Sequence, residues 1–260
     1  EICACLVGSE MCIRDSNYNM KVPVVSTSHQ EAINSMFSSF ARNCIGKTKN
    51  NMQLKDEFLT LNRNYTKSGL GDTFLYKSER LSGHLLKNGN LKLANIFINE
   101  LGKIYLRIGN AELAEKTILK SLRISELLND ELHVLARCND LEYLYKALDN
   151  KEKLFKLLQM KKNCAKRIVR DYEKCAKNFN SLMREPTSLE SVKKQLAFTY
   201  NDMADILVSK RPKDSIKMVE KAKEIYKELG QQKEVNFLTI KMQIIAVSYT
   251  HLRAHETCAD

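Results

Sequence analysis

Turn signals recur every twenty residues through the middle of this 260-residue chain. They are the dipeptides Gly89-Asn90, Gly109-Asn110, Asn129-Asp130 and Asp149-Asn150. Glycine and asparagine accept the left-handed backbone conformation that commonly ends a helix, so each dipeptide predicts a helix C-terminus. The apolar residues between the turns recur at helical spacing. Helices of equal length joined by short turns pack as antiparallel neighbours, which predicts a stacked array.

Further helices are predicted on both sides of this regular region. Upstream, Ser28-His29-Gln30-Glu31 has the form of a capping box and predicts a helix start. Downstream, the helical pattern runs from Lys151 to about Arg184 and stops before Pro186. A last helix is expected to begin near Gln231. No alternating pattern predicts a strand, so the predicted fold class is all-α.

The two ends of the chain are related at the nucleotide level. Glu1 to Asp15 can be back-translated into a DNA string whose reverse complement translates, without mismatch, as Val247 to Asp260. The string resembles a sequencing-library adapter, so residues 1–16 and 247–260 are interpreted as translated adapter and excluded from fold reasoning. We expect the natural chain to continue past Ala246, and the array to be truncated at that end.

Excluding the ends changes the charge and the cysteine count. The ends contain two of the 42 basic and five of the 31 acidic residues, so the remainder carries a net charge of +14 rather than +11. A basic surface attracts acidic partners or nucleic acid, although abundant lysine also arises without a dedicated site. The remaining cysteines lack a regular spacing, which is typical of a reducing cytosol: Cys44, Cys138, Cys164 and Cys175. No apolar stretch is long enough to span a bilayer, so no membrane partner is expected.

One stretch has the residue spacing of a helix-turn-helix repeat. Small, aromatic and aliphatic residues alternate at fixed intervals at Leu101-Gly102, Tyr105, Gly109, Ala114, Ile118 and Ser121. This pattern resembles the tetratricopeptide repeat (TPR) family. Ile118 replaces the family's aromatic residue and Ser121 its second alanine, and both departures are mild. Small residues such as Ala114 let two helices approach closely, and Gly109 permits the turn.

Two weaker copies of the pattern follow. The second consists of Leu141, Tyr145, Asp149, Leu154 and Leu158. The third consists of Met203, Ala204, Leu207, Ser215, Val219 and Ala222. Leu154 stands where the pattern has a small residue, so we expect looser helix contact in the second copy. The residues upstream of Gly89 fit in more than one frame, and the pairing there stays open.

The resemblance implies antiparallel helix pairs stacked as a TPR-like right-handed solenoid. It assigns residues 73–246 to the repeat array and leaves residues 17–72 as an N-terminal helical segment. Proteins of this family act as protein-interaction scaffolds, in which the first helix of each repeat lines a concave groove. The resemblance therefore implies a protein or peptide partner. The identity of that partner and the oligomeric state stay open.

The family's groove positions carry a recurring asparagine in this chain. The groove-facing residues implied by the resemblance are Asn99, Lys103, Arg107, Asn139, Tyr143, Lys146 and Asn201. An asparagine side chain both donates and accepts hydrogen bonds, so three of them could hold an extended peptide backbone. The alternative is an ordinary solvated helix surface. Asn99 and Lys103 stand in swapped places relative to the family's carboxylate clamp, so specificity for a C-terminal carboxylate is not expected.

A second candidate surface is the run of basic residues after Asn150. Its members are Lys161, Lys162, Lys166, Arg167, Arg170 and Lys174. Such a stripe could contact phosphates, which gives the alternative function of binding RNA or another polyanion. A solvated basic face is the simpler interpretation and is favoured.

Signatures of catalysis, cofactors and metals are weak. Ile45-Gly46-Lys47-Thr48 ends like a phosphate-binding loop, but Ala41 stands where the first glycine is needed. His29, His84 and His133 are scattered and have no partner pattern for a metal or a nucleophile. We therefore expect no enzyme, no cofactor and no metal site.

Overall fold

The computed structural model describes residues 26–46, 48–178 and 187–257, and these contain eleven helices and no strand. The helices are α1 Thr27–Gly46, α2 Asn51–Lys67, α3 Gly71–Lys87, α4 Leu91–Arg107, α5 Ala111–Leu127, α6 Glu131–Ala147, α7 Lys151–Arg170, α8 Tyr172–Asn178, α9 Leu189–Leu207, α10 Pro212–Glu228 and α11 Gln232–Thr257. Among these residues, no helix is both long and apolar enough to cross a membrane. The predicted adapter segment 1–16 lies outside the described residues, whereas α11 continues through residues 247–257.

The chain divides into two compact units, with the boundary between Lys77 and Ser78 inside α3. In the first unit, α1 packs against α2. In the second unit, the pairs α4–α5, α6–α7 and α9–α10 pack together, and α5–α6, α7–α9 and α10–α11 connect each pair to the next helix. This arrangement confirms the predicted fold class, an all-α array of stacked helix pairs. The predicted domain limits at residues 72 and 246 stay predictions.

In each turn between the regular helices, one residue ends the preceding helix and the next residue caps the following helix. Gly89, Gly109, Asn129 and Asp149 all have a positive φ, between 46° and 76°, which confirms them as helix-ending residues. The residue after each of them caps the next helix by accepting a hydrogen bond from the backbone N–H three residues later. The twenty-residue spacing of helix starts also includes α2 and α3, which begin at Asn51 and Gly71 and are both 17 residues long. The twenty-residue step therefore starts earlier than the sequence pattern suggested.

The predicted capping box at Ser28 was wrong by two residues. Helix α1 begins at Thr27, and the Ser26 hydroxyl accepts from the His29 backbone N–H at 3.4 Å. A reciprocal box occurs instead at α2, where Asn50 and Gln53 each accept from the other's backbone N–H. Both sites fit the rule that side-chain oxygens satisfy the free N–H groups of a helix start.

The prediction of one continuous helix from Lys151 to about Arg184 was also wrong. Helix α7 ends at Arg170, and Asp171 has a non-helical ψ of 39°. The Tyr172 hydroxyl at the start of α8 donates to the Thr187 carbonyl at 2.8 Å, a long-range contact that local helical periodicity cannot reveal. Apolar residues are buried on both sides of the break, at Ile168 in α7 and at Cys175 in α8.

The pair α4–α5 is tightest at Gly102. A Cβ atom at this position would lie 2.8 Å from Cγ1 of Ile118, closer than real carbon contacts allow. Ala114 and Ile118 are fully buried in the same pair. The leucine-glycine element of the repeat pattern therefore has a steric cause: the glycine makes room for Ile118.

The pair α6–α7 has charged residues at the register positions that small residues occupy in the pair α4–α5. Counting from the helix starts, Glu142 takes the place of Gly102, and Lys161 takes the place of Ser121. Lys161 is 5% exposed, and its Nζ lies 2.5 Å from Oε2 of Glu142. In the first pair, the Ser121 hydroxyl donates to Oδ1 of Asn95 at 2.7 Å. One register position thus carries a neutral hydrogen bond in one repeat and a buried ion pair in the next.

Candidate protein-interaction cleft

Three of the seven predicted groove residues lie together in a cleft between α6 and α9. Asn139, Tyr143 and Lys146 line one wall, on α6. The α9 wall contains Gln195, Phe198 and Asp202. We call this space the α6–α9 cleft, and its volume is about 420 Å³. The other four predicted groove residues do not line it.

Two aromatic rings are the most exposed apolar surfaces of the α6–α9 cleft. Tyr143 is 50% exposed and Phe198 is 57% exposed. Phe198 also contacts Tyr226 of α10 edge-to-face, with ring centroids 6.1 Å apart. Aromatic rings that are held by packing and still half exposed are typical anchors for a protein partner. The sequence interpretation missed Phe198, although it stands one helical turn before the groove position Asn201.

The amides of the α6–α9 cleft contact each other across it. Asn139 Nδ2 donates to Gln195 Oε1 at 2.9 Å. Both side chains belong to neighbouring helices, so this hydrogen bond links α6 to α9 at the edge of the cleft. An exposed amide pair of this kind can exchange its internal hydrogen bond for one to a peptide backbone at little net cost.

The charged groups of the α6–α9 cleft neutralise one another. Lys146 Nζ lies 2.7 Å from Oε1 of Glu142 and 2.7 Å from Oδ2 of Asp202. Burial tends to raise the pKa of Glu142, but Lys161 and Lys146 outweigh it and hold this pKa below its ordinary value. Burial raises the pKa of Asp202, against the opposing effect of Lys146. Because these charges are mutually satisfied, the aromatic and amide groups are the ones that remain for a ligand.

The remaining predicted groove residues have separate surroundings. Asn99 is half-buried beside Arg137 in a smaller cavity, and Lys103 Nζ lies 3.3 Å from Glu100 Oε1. Arg107 is exposed at the end of α4. Asn201 accepts a hydrogen bond from Lys241 Nζ at 2.6 Å, a contact to α11. The three asparagines therefore do not form one common peptide-binding row.

Helix α11 carries apolar residues at the positions that line the cleft on α6. Ile240 and Ile244 stand as far from the start of α11 as Asn139 and Tyr143 stand from the start of α6. Both are exposed, by 56% and 61%, as is Phe237 by 63%. Lys241 connects α11 to α9 through Asp205, 2.6 Å away. Ile244 of α11 therefore repeats the exposed apolar position of Tyr143, and Ile240 places an apolar side chain at the position of the polar Asn139.

The residues of the predicted basic patch differ in their burial and in their ion pairs. Lys161 does not belong to an exposed surface, because it is buried and paired with Glu142. Arg167 donates to both carboxylate oxygens of Glu131 at 2.9 Å, and Arg170 lies 2.9 Å from Asp171. Lys162, Lys166 and Lys174 have no ion pair among the described residues, and Lys162 has a lowered pKa because of burial and the nearby Lys166 and Lys221.

The thiols of the described residues are buried, and none forms a disulfide: Cys44, Cys138, Cys164 and Cys175. Burial raises the pKa of Cys44 and of Cys138 to about 12. A thiol with such a pKa is protonated at neutral pH and is a poor nucleophile. No group of three or more metal-ligating side chains occurs in the part of the chain that the structure describes.

Consecutive helix pairs of nearly equal length define the second compact unit as a helical-repeat array. The sequence matches no protein-family model and no curated protein. Among solved structures, the chain is similar to BtubC (BKLC) from P. vanneervenii, with 17% identity over 86% of this chain and 93% of that one and a TM-score of 0.42. It is also similar to a putative kinesin light chain with nearly identical TPR-like repeats from Podosopora anserina, with 17% identity, 77% and 98% coverage and a TM-score of 0.36. A de novo designed helical repeat protein aligns at 12% identity, 87% and 98% coverage and a TM-score of 0.29. Likenesses of this degree concern helix arrangement and say nothing about ligands.

Proposed function

We propose that this protein is an interaction scaffold that holds a segment of a partner protein in the α6–α9 cleft. The observation that carries the proposal is the pair of half-exposed rings, Tyr143 and Phe198, on facing walls of a 420 Å³ space. A cleft of about 420 Å³ is large enough to take one or two side chains of a peptide. The bound segment would then continue over the apolar side chains of α11.

The contacts in the α6–α9 cleft favour an apolar anchor on the partner. The carboxylates of Glu142 and Asp202 already contact Lys146, so a charged partner residue would have to displace an existing ion pair. An aromatic or aliphatic side chain between Tyr143 and Phe198 removes apolar surface from water without that cost. The amides of Asn139 and Gln195 could then contact the backbone of the bound segment.

Replacing both Tyr143 and Phe198 with alanine is expected to weaken the binding of library-selected peptides at least tenfold, because buried aromatic anchors carry much of an interface's energy. The peptides would be selected from a random display library on the full chain, and their dissociation constants measured by fluorescence anisotropy. Leu127→Ala, which truncates an exposed leucine at the end of α5, is the matched control and should leave binding unchanged. Equal affinity of the double variant and the unaltered protein for every selected peptide would refute the proposal.

A polyanion ligand is a second candidate, because Lys162, Lys166 and Lys221 lie near one another without carboxylate partners in the described chain. If this cluster binds phosphates, the triple change of these lysines to glutamine should reduce the salt dependence of RNA binding by about one ion per lost contact. Gel shifts with a single-stranded RNA at several salt concentrations would measure it. Lys156→Gln, on an exposed ion pair elsewhere on α7, is the control. No salt-sensitive shift at low ionic strength would dispose of this candidate.

A further inference from the structure

A small cavity lies between α4 and α6, apart from the α6–α9 cleft. Its volume is about 20 Å³, and Asn99 of α4 and Arg137 of α6 both line it. Arg137 is only 4% exposed. Oδ1 of Asn99 and Nη1 of Arg137 are both buried and lack a hydrogen-bond partner among the described residues. Leaving two such atoms unpaired would cost about 1–3 kcal/mol each.

The volume of this cavity limits what it can hold. One water molecule needs about 10–15 Å³ of space for its centre, and a carboxylate or a phosphate needs several times more. The cavity therefore accommodates a single water-sized species. A peptide side chain cannot enter without moving α4 away from α6.

The chemistry of the two unpaired atoms narrows the choice further. Asn99 Oδ1 is an acceptor and repels an anion, whereas Arg137 Nη1 is a cationic donor and repels a cation. The charge of Arg137 is already balanced by Asp140, whose Oδ2 accepts from Nε at 2.9 Å. A group that satisfies both atoms must be neutral, donate a hydrogen bond to Asn99 Oδ1 and accept one from Arg137 Nη1. Water is the smallest molecule that does both.

We propose that one ordered water molecule bridges Asn99 Oδ1 and Arg137 Nη1 and links α4 to α6. Asn99 is then a structural residue of the helix stack and not a donor to a bound peptide. Its equivalents behave differently, since Asn139 and Asn201 bond directly to Gln195 and to Lys241. The three asparagines at one register position thus have three different partners.

A crystal structure of the full chain, at a resolution that resolves ordered solvent, tests the proposal directly. The expected result is a density peak within about 3 Å of both Asn99 Oδ1 and Arg137 Nη1. In Asn99→Leu, which keeps the branched shape of the side chain but has no acceptor, the peak should disappear. An unaltered protein that shows both side chains ordered without such a peak would overturn the proposal. So would a direct hydrogen bond between the two atoms.

Thermal unfolding and peptide binding provide the second readout. Asn99→Leu should lower the unfolding midpoint by several degrees, because it removes the bridging water and leaves the buried Arg137 Nη1 without an acceptor. The matched control is Asn139→Leu, at the same helix position but exposed, which should leave the midpoint nearly unchanged. Folded Asn99→Leu should bind the library-selected peptides with the affinity of the unaltered protein. A selective loss of peptide binding in this variant, with an unchanged midpoint, would show that Asn99 contacts the ligand and would contradict the proposal.

Discussion

Replacing Glu142 with glutamine is expected to lower the free energy of unfolding by about 3 kcal/mol, since it leaves the buried ammonium of Lys161 without its counter-charge. Lys161 is 5% exposed, and its Nζ lies 2.5 Å from Glu142 Oε2. The change keeps the shape of the side chain and removes only its charge. Urea unfolding followed by circular dichroism would measure the loss.

Two further variants make the test of Glu142 specific. Glu152→Gln removes the same charge from a pair with Lys156 in which both side chains are more than 70% exposed, and it should produce no measurable change. Adding Lys161→Met to Glu142→Gln should recover most of the lost stability, because the double variant has no unpaired charge at that place. If Glu142→Gln is as stable as Glu152→Gln, the pair does not hold α6 against α7.

Replacing Gly102 with alanine is expected to destabilise the protein by about 1–2 kcal/mol, although alanine favours helices more than glycine does. The added Cβ would lie 2.8 Å from Cγ1 of Ile118 and 3.6 Å from its backbone nitrogen. The distance to the backbone nitrogen is an ordinary van der Waals contact, so the clash is with the side chain of Ile118, which is fully buried in a close-packed core. Chemical denaturation again supplies the measurement.

The control substitution for Gly102→Ala is expected to change the free energy of unfolding in the opposite direction. Gly83 also lies inside a helix, α3, but a Cβ atom there would meet nothing within 4 Å. Gly83→Ala should therefore stabilise the protein by about 0.5–1 kcal/mol through helix propensity. In a double-mutant cycle, Gly102→Ala should cost less in an Ile118→Ala background, because the clashing atom is gone. Equal effects at both glycines would mean that α4 and α5 are not in close contact at Gly102.

The positions of the helices in the regular region could be predicted because their signals are local. A residue such as Gly109 or Asn129 sets its own backbone conformation, and the next residue caps the following helix through a neighbour three positions away. The prediction failed where a distant contact intervened. At Asp171 the helix breaks, and the neighbouring Tyr172 bonds to the carbonyl of Thr187.

The candidate site was predicted less completely than the helices. The repeat register assigns Asn139, Tyr143 and Lys146 to one helix face, and these three residues line one wall of the α6–α9 cleft. It could not reveal that Phe198 stands across from them, because that requires knowing which helix packs beside α6. The run of lysines likewise gave no sign that Lys161 is buried, since its partner Glu142 belongs to the preceding helix.

The sequence by itself determined the all-α class, the twenty-residue step and the residues that end and begin the regular helices. These features depend on backbone preferences and on apolar spacing within one helix. Only the tertiary structure decided what equivalent positions do. Gly102 and Glu142 share a register position, as do Asn99 and Asn139, yet they meet different side chains. The repeat fixes where a side chain points, and the neighbouring helix supplies the group that it contacts.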